Sequence, residues 1–491
     1  MLTGIFSIWR ADDWYWITIN IILLITIIFV VGVIIKDNRE PVKTISWMLV
    51  LVLIPVLGII LYLYVGRNFK KNKLLSLKVV ADGISMDKLL HDQLSQLNKE
   101  AFLKDERLVP KRNMMRLLLN NNKALITQRN SIRVLNNGRQ TFGSMIYELE
   151  NARKHIHLEF FIIEDDTIGN RIKDILIRKS KSGVKVKVIY DDVGSWSLSR
   201  RYIRELTGAG VEIYSFMPVK FYALANKVNY RLHRKILIID GRVGYVGGLN
   251  IADRYWRGLG NNNMWRDTHL RLEGESVHGL QAVFLMDWNF VTERSNPDED
   301  YFPEVKIRQH KLVQIVTSGP DSDWESIMQA YFSAIATAKD YVFISTPYFL
   351  PNESIMTALK TAALGGVDVR ILLPDKHDSW IVGHSSRSYL MEILEAGVKL
   401  YLFQKGFTHS KLMVVDDVFS SVGTANMDIR SFNQNFEVNA LIYDEDVSLS
   451  MKKDFITDIE ASHLLSIEEW KGRPFHHKVS ESFARIFSPL L

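Results

Sequence analysis

The same polar phrase occurs twice in this chain, HRKILIID at 233–240 and HSKLMVVD at 409–416, at a constant shift of 176 positions. The shift carries on past both octets, because GGLN ends at Asn250 and GTAN at Asn426. In an extended strand residues two apart face the same way, so His233 and Lys235 project together, as do His409 and Lys411. Gly247, Gly248 and Gly423 permit tight turns and close backbone approach. A lone H-x-K reads as a solvated surface strand. Two copies in register, each on an apolar run of buried type, imply a use for polar groups whose unpaired burial is costly.

The repetition extends to the surrounding elements. HIHLEFFII (155–163) and GVKVKVIYDD (183–192) are strand candidates separated by a helical stretch, and DYVFISTPYFL (340–350) and GVDVRILLPD (366–375) repeat that order. GVEIYSF (210–216) and GVKLYLF (397–403) follow in each copy, each Gly-Val opening a strand after a helix, as a helix C-cap feeding a sheet would. The expected fold class is therefore α/β, with two similar units at about 120–308 and 309–491 meeting at a pseudo-two-fold interface. A charged, Leu-punctuated stretch over 67–119 reads as a helical or solvated connector.

Two His, two Lys and two Asn suit a phosphodiester. One imidazole can attack phosphorus and the other can protonate the leaving alkoxide. Lys235, Lys411, Asn250 and Asn426 would hold the nonbridging oxygens. Each imidazole also needs an orienting group on its second nitrogen. Asp267 in WRDTHLRLEG and Glu437 in NFEVNALIYD occupy matching places for that role, with His269 opposite Asn439. Asp240 and Asp416 read as securing the motif strands. A diester carries one negative charge, so fixed cationic donors suffice, and no metal or other cofactor is expected. The chain has no cysteine, which excludes disulfides and thiol chemistry, and no H-E-x-x-H, G-x-S-x-G or G-x-x-x-x-G-K-[ST] motif.

The N-terminal region carries two uncharged runs, 14–35 and 44–66, of 22 and 23 residues. Each is long enough to cross a hydrocarbon core of roughly 30 Å, so two transmembrane helices forming a hairpin over 1–66 are expected. Trp14, Tyr15, Trp16 and Trp47 lie near the ends of the runs, where amphipathic rings favour the interface. Arg10, Arg67, Lys70, Lys71 and Lys73 outnumber Lys36, Arg39 and Lys43 of the loop, which places the catalytic units on the cytoplasmic side. A net charge of +6 suits an anionic membrane; without an aromatic-basic tract, nucleic acid is not the expected partner. The tail HHKVSESFARIFSPLL spaces its apolar residues as one helix face, suited either to a membrane or to packing on the second unit.

At the paired H-x-K-x-x-x-x-D motifs the chain resembles the phospholipase D superfamily. Within it, the membrane runs, SGPDSDWESI, YFLPNESI and GTANMDIRSFNQNFEVNA resemble the bacterial cardiolipin synthases. The resemblance implies two phospholipase D-like domains, each a mixed β-sheet flanked by helices, sharing one active site in a membrane enzyme. It implies the catalytic set His233, Lys235, Asp240, His409, Lys411 and Asp416, with His233 as nucleophile. It also implies phosphatidylglycerol as substrate, giving cardiolipin and glycerol. Hydrolysis to phosphatidate, a membrane-bound nuclease and a catalytically dead lipid-binding scaffold remain the alternatives.

Overall fold

The structure is a computed structural model that describes residues 83–97, 105–218, 230–260, 264–294 and 299–488, with isolated helical positions between 18 and 62. The chain divides into two units, Met1–Lys70 with Lys220–Asn229, and Lys71–Val219 with Tyr230–Leu491. In the first, Val30, Leu51 and Tyr62 are buried. Most of the runs 14–35 and 44–66 lies outside the described residues. Among the described residues no helix is long and apolar enough to cross a membrane.

Among its described residues the second unit has twenty strands: β1 (Ile126–Thr127), β2 (Asn130–Asn136), β3 (His155–Phe160), β4 (Lys185–Asp191), β5 (Glu212–Phe216), β6 (Lys235–Ile239), β7 (Val243–Gly247), β8 (Met264–Arg266), β9 (Thr268–Gly274), β10 (Leu312–Ser318), β11 (Tyr341–Ser345), β12 (Phe349–Leu350), β13 (Asp368–Pro374), β14 (Lys399–Phe403), β15 (Gly406–Thr408), β16 (Leu412–Val415), β17 (Phe419–Gly423), β18 (Met427–Asp428), β19 (Glu437–Tyr443) and β20 (Ser462–Leu464). One mixed sheet runs β2-β9-β7-β6-β3-β4-β5. The other runs β1-β10-β19-β17-β16-β11-β13-β14-β20, so its seven inner strands repeat the first sheet position for position. The strands opened by Gly-Val form as expected. Gly183, Gly210, Gly366 and Gly397 all take positive φ, between 90° and 95°, the left-handed turn that ends a helix and that a Cβ would strain.

Apart from Lys235, the motif strands are apolar because both their faces are covered. Ile236 and Ile238 of β6, and Leu412 and Val414 of β16, face a layer shared by the two sheets. Leu237 and Ile239 face the outer helices of the first half, and Met413 and Val415 those of the second. Period-two alternation thus puts every apolar side chain of these strands in a core, and Lys235 at the start of β6 is the exception.

Two boundaries differ from those the sequence implies. The expected connector belongs, from residue 83, to the second half. Helix Arg112–Asn122 buries Met114, Met115, Leu118 and Leu119 in that half's core, with Leu97 of helix Gly83–Leu97 beside them. The first repeat also does not begin at 120, since β1 pairs antiparallel with β10 in the second sheet. An amphipathic stripe four residues deep must be covered, and the second half supplies the surface. The tail helix Phe475–Arg485 packs through Glu481 and Ala484, while Ser488 meets Ser385 of helix Trp380–Arg387 at 2.6 Å between hydroxyls.

Candidate active site

Both motifs enter their sheets at the same end, where β3 and β11 finish: Lys235 lies opposite Phe160, and Leu412 opposite Ser345. The two entering segments cross between halves. Leu232 bridges Phe436, and the His233 N–H donates to the Phe436 carbonyl at 2.9 Å. In the other direction β15 pairs with β8, and the His409 N–H donates to the Arg266 carbonyl at 2.7 Å.

The crossing sets the imidazoles. His233 Nδ1 lies 2.9 Å from Glu437, a carboxylate of the second half. His409 Nδ1 lies 2.9 Å from Asp267 of the first half. Each carboxylate is fully buried and is itself held. Thr424 donates its hydroxyl to Glu437 at 2.5 Å, and the Thr268 N–H donates to Asp267 at 2.8 Å. The close approach explains the glycines, because a Cβ on Gly248 would stand 2.2 Å from Asp267 Oδ1.

The lysines differ. Lys235 Nζ donates to the His233 carbonyl at 2.6 Å, and no hydrogen bond reaches His233 Nε2 among the described residues. Lys411 Nζ donates to the His409 carbonyl at 2.8 Å and lies 3.0 Å from both ring nitrogens. With Nδ1–H committed to Asp267, the His409 nitrogen that can accept from Lys411 is Nε2.

Burial dominates the electrostatics. Opposed by Glu437 and reinforced by Lys235, it pushes His233 down to about 4. Together with the charges of Lys411 and Lys235, it presses His409 well below the usual histidine value. Opposed by Glu437 and reinforced by Lys411, it lowers Lys235 to about 7, and opposed by Asp267 and Glu437, it lowers Lys411 to about 8. It lifts Asp267 to about 6 against Lys411 and His269. It would lift Glu437 too, but His233 and Lys235 outweigh it and hold that carboxyl below its ordinary value. The resting site therefore holds neutral imidazoles beside an ionised Glu437, with lysines poised to gain charge stability from an anion.

Asp240 and Asp416 are not in this site, and their inclusion in the catalytic set is corrected. Asp240 is five residues along β6 from Lys235, roughly 16 Å in an extended strand. Its carboxylate accepts the N–H groups of Arg153, Lys154 and His155 at 2.7–3.2 Å. Asp416 likewise accepts those of Lys339, Asp340 and Tyr341, at 2.9–3.0 Å. Both take positive φ, 54° and 52°, at the turn after the motif strand and tie it to the start of β3 or β11.

The asparagines are also unequal. Asn250 is committed at both ends, accepting from the Ile162 N–H at 3.1 Å and donating to the Tyr255 hydroxyl at 3.1 Å. Asn426 is buried with its Oδ1 lacking a partner among the described residues.

Several residues had no signal of their own in the motifs. Arg234, between His233 and Lys235, is 1% exposed, ion-paired to Asp287, and donates through Nε to the Glu437 carbonyl at 3.2 Å. Ser410, its counterpart, donates to Thr268 at 2.7 Å, next to Asp267. Each variable position thus braces the strand that carries the orienting carboxylate. Asp191 accepts from the Leu232 N–H at 2.9 Å, and Tyr255 and Trp265 pack against the His409 ring. Among the described residues no group of three or more His, Asp or Glu is arranged to hold a metal ion.

A duplicated mixed sheet whose halves exchange orienting carboxylates around two His–Lys pairs defines a two-domain phospholipase D body. The family described as cardiolipin synthase, PLD-like domain, matches residues 145–288 and 331–459, and the phospholipase D-nuclease N-terminal family matches 18–67. The cardiolipin synthase of Alkalihalophilus pseudofirmus is 43% identical over 485 residues, 98% of this chain and 95% of that one. The major cardiolipin synthase ClsA of Bacillus subtilis is 39% identical over 481 residues, 97% of this chain and 99% of that one. The solved phosphatidylserine synthase of Haemophilus influenzae shares the fold, with a TM-score of 0.60 at 17% identity over 79% of this chain and 100% of that one. The chain belongs to the cardiolipin synthase family.

Proposed function

We propose that the chain is a membrane-bound phosphatidyltransferase that condenses two phosphatidylglycerol molecules into cardiolipin and glycerol through a phosphohistidine. The observation that carries this reading is the asymmetric pair of neutral, carboxylate-held imidazoles, one with an unengaged Nε2 and one in contact with a lysine.

In the first step His233 Nε2 attacks the phosphorus of one phosphatidylglycerol. The N–P bond forms, the bond from phosphorus to the glycerol oxygen breaks, and His409 gives that oxygen a proton. The bound anionic phosphate favours the protonated His409 that this step needs, and offsets the burial that lowers Lys235 and Lys411. In the second step a hydroxyl of another phosphatidylglycerol gives its proton to His409 and bonds to phosphorus. The N–P bond breaks and His233 is restored. Lys235 and Lys411 stabilise the charge on the nonbridging oxygens in both steps, with the side-chain amide N–H of Asn426 as a further donor in this reading. Glu437 and Asp267 hold the imidazoles in the required tautomer. No step needs a metal or cofactor.

The runs 14–35 and 44–66 are read as two membrane-crossing helices, with the catalytic body on the cytoplasmic face, on the strength of their length and flanking lysines and arginines. The match of 18–67 to a phospholipase D-type N-terminal family supports a distinct segment there. The partners are phosphatidylglycerol and the anionic bilayer that holds it.

Purified protein in phosphatidylglycerol vesicles, followed by lipid mass spectrometry and a glycerol assay, tests the reaction. Cardiolipin with equimolar glycerol is expected, and phosphatidate in its place would turn the assignment to a hydrolase.

A further inference from the structure

Each half carries an exposed tryptophan at the same place, and the chemistry derived above uses neither. β4 and β13 hold equivalent positions in the two sheets, and each is followed by a turn ending in Ser-Trp, YDDVGSW to Trp196 and PDKHDSW to Trp380. Trp196 is 78% exposed and Trp380 59%, although an indole is ordinarily well buried in a folded protein.

Both turns are built onto the site. The turn before Trp196 is pinned by Asp191, which accepts the Val193 and Gly194 N–H groups at 3.0 and 2.8 Å and also the N–H of Leu232, next to His233. Ser195 donates to the Phe161 carbonyl at 3.1 Å, and the Phe161 ring meets the His233 ring at 5.1 Å. On the other side Asp378, two residues before Trp380, accepts the Tyr348 hydroxyl at 2.6 Å, and its charge reaches Lys411. The tryptophans therefore stand at the end of the two sheets where the catalytic side chains lie.

A third apolar feature adjoins Trp380. The Trp380 ring meets the His384 ring at 4.3 Å, and His384 faces His477 of helix Phe475–Arg485 at 6.5 Å. That helix turns Glu481 and Ala484 inward, and sets Phe475, Val479 and Phe483, with Ile486 at its C-cap, outward at 50–80% exposure. Their spacing of four, four and three makes one stripe. Exposed bases border these features: Lys478 beside the stripe, Lys376 before Trp380, and Arg200 and Arg204 after Trp196. Exposed indoles and an apolar helix face edged by cations match the interface of an anionic bilayer, where amphipathic rings sit at headgroup depth.

We infer that Trp196, Trp380 and the outer stripe of helix Phe475–Arg485 form a docking surface that seats the catalytic body on anionic phospholipid, with the site turned toward the headgroups. The inference rests on the reading that the substrate is a bilayer lipid. It assigns the tail helix both roles considered for it: one face packs on the second half and the other meets lipid.

Because the chain has no cysteine, single-cysteine variants can carry one environment-sensitive fluorophore each. Full-length Trp196→Cys, Trp380→Cys and Val479→Cys would be labelled in proteoliposomes of phosphatidylglycerol and phosphatidylcholine. Tyr147→Cys is the control, exposed on a helix whose end feeds the start of β3, at the opposite end of the sheet. Blue-shifted emission and quenching by a lipid-borne nitroxide are expected at the three patch positions and not at 147. Trp196→Ala/Trp380→Ala should lose about tenfold in rate on vesicles and keep its rate on monomeric short-chain phosphatidylglycerol. Water-like emission at both 196 and 380 in vesicles that produce cardiolipin would overturn the docking surface and leave the transferase reading standing. Lipid-embedded labels without lipid turnover would do the reverse.

Discussion

His233 and His409 hold equivalent places in a duplicated fold, yet their surroundings differ in one respect on which the proposed roles rest. Lys235 turns back to the main chain and leaves the outer nitrogen of His233 unengaged, whereas Lys411 sits against the ring of His409. A nucleophile needs an unoccupied lone pair. An acid–base group gains from a cationic neighbour that holds a proton close by. Duplication supplied two imidazoles, and under the proposed mechanism the difference in lysine placement divides the work between them.

The sharpest way to break this comparison is to trap the intermediate. His233→Ala and His409→Ala should each lower turnover by about a thousandfold or more. Rapid quench in mildly alkaline denaturant, in which the N–P bond survives, followed by peptide mass spectrometry of the unmodified enzyme should find the phosphatidyl adduct on His233. An adduct on His409 would reverse the roles.

Exchanging the carboxylates comes next, with losses of roughly 10²–10⁴-fold for Glu437→Gln and Asp267→Asn. The pH profile separates the two. Asp267 ionises near 6, so kcat/KM should fall as pH drops through that value and His409 loses its anionic partner. Asp267→Asn should abolish that acid limb. Glu437→Gln should retain it, because the Glu437 carboxyl stays ionised to lower pH. On the alkaline side Lys235, near 7, and Lys411, near 8, lose their protons, and phosphate binding should weaken in both variants.

The variable residues of the two motifs give the smallest effects and a clean contrast. Arg234→Met leaves Asp287 buried without its cation, at a cost of about 3–5 kcal/mol in stability. Ser410→Ala removes one neutral hydrogen bond, worth about 1 kcal/mol. Denaturation midpoints measured in the same detergent would rank them, and equal midpoints would sink the claim that Arg234 braces the Glu437 strand.

The sequence made the duplication legible because polar residues are seldom kept at one spacing on two buried strands by chance. It also paired Asp267 with Glu437, since both follow their motifs at matching places. It did not reveal that each serves the other half's histidine. Contacts between residues more than a hundred positions apart leave no local periodicity, and both arrangements present the same spacing. The resemblance drew Asp240 and Asp416 into the catalytic set. Their strand position alone argued otherwise, as five extended residues carry a side chain well away from the Lys it follows. Helix Arg112–Asn122 was hidden because an amphipathic stripe announces a covered face without naming its cover. The tryptophans at 196 and 380 were visible as a repeated Ser-Trp, but their meaning depended on exposure, which a sequence does not state.

The pairing of β1 with β10 has a consequence for how the chain is made. The Thr127 hydroxyl bonds a carbonyl 186 positions further on, at 2.8 Å. At about 5–20 residues per second, the ribosome delivers that partner about 10–40 s after β1 has been synthesised. During that interval the apolar side of helix Arg112–Asn122 has no permanent cover, while the whole first sheet, complete by Gly274, can already assemble. Translation therefore runs the two halves out of order: the segment that begins the second half waits through the birth of the first. A pause or a slow codon run between 128 and 311 would lengthen the exposure of that helix without altering any residue of the finished enzyme.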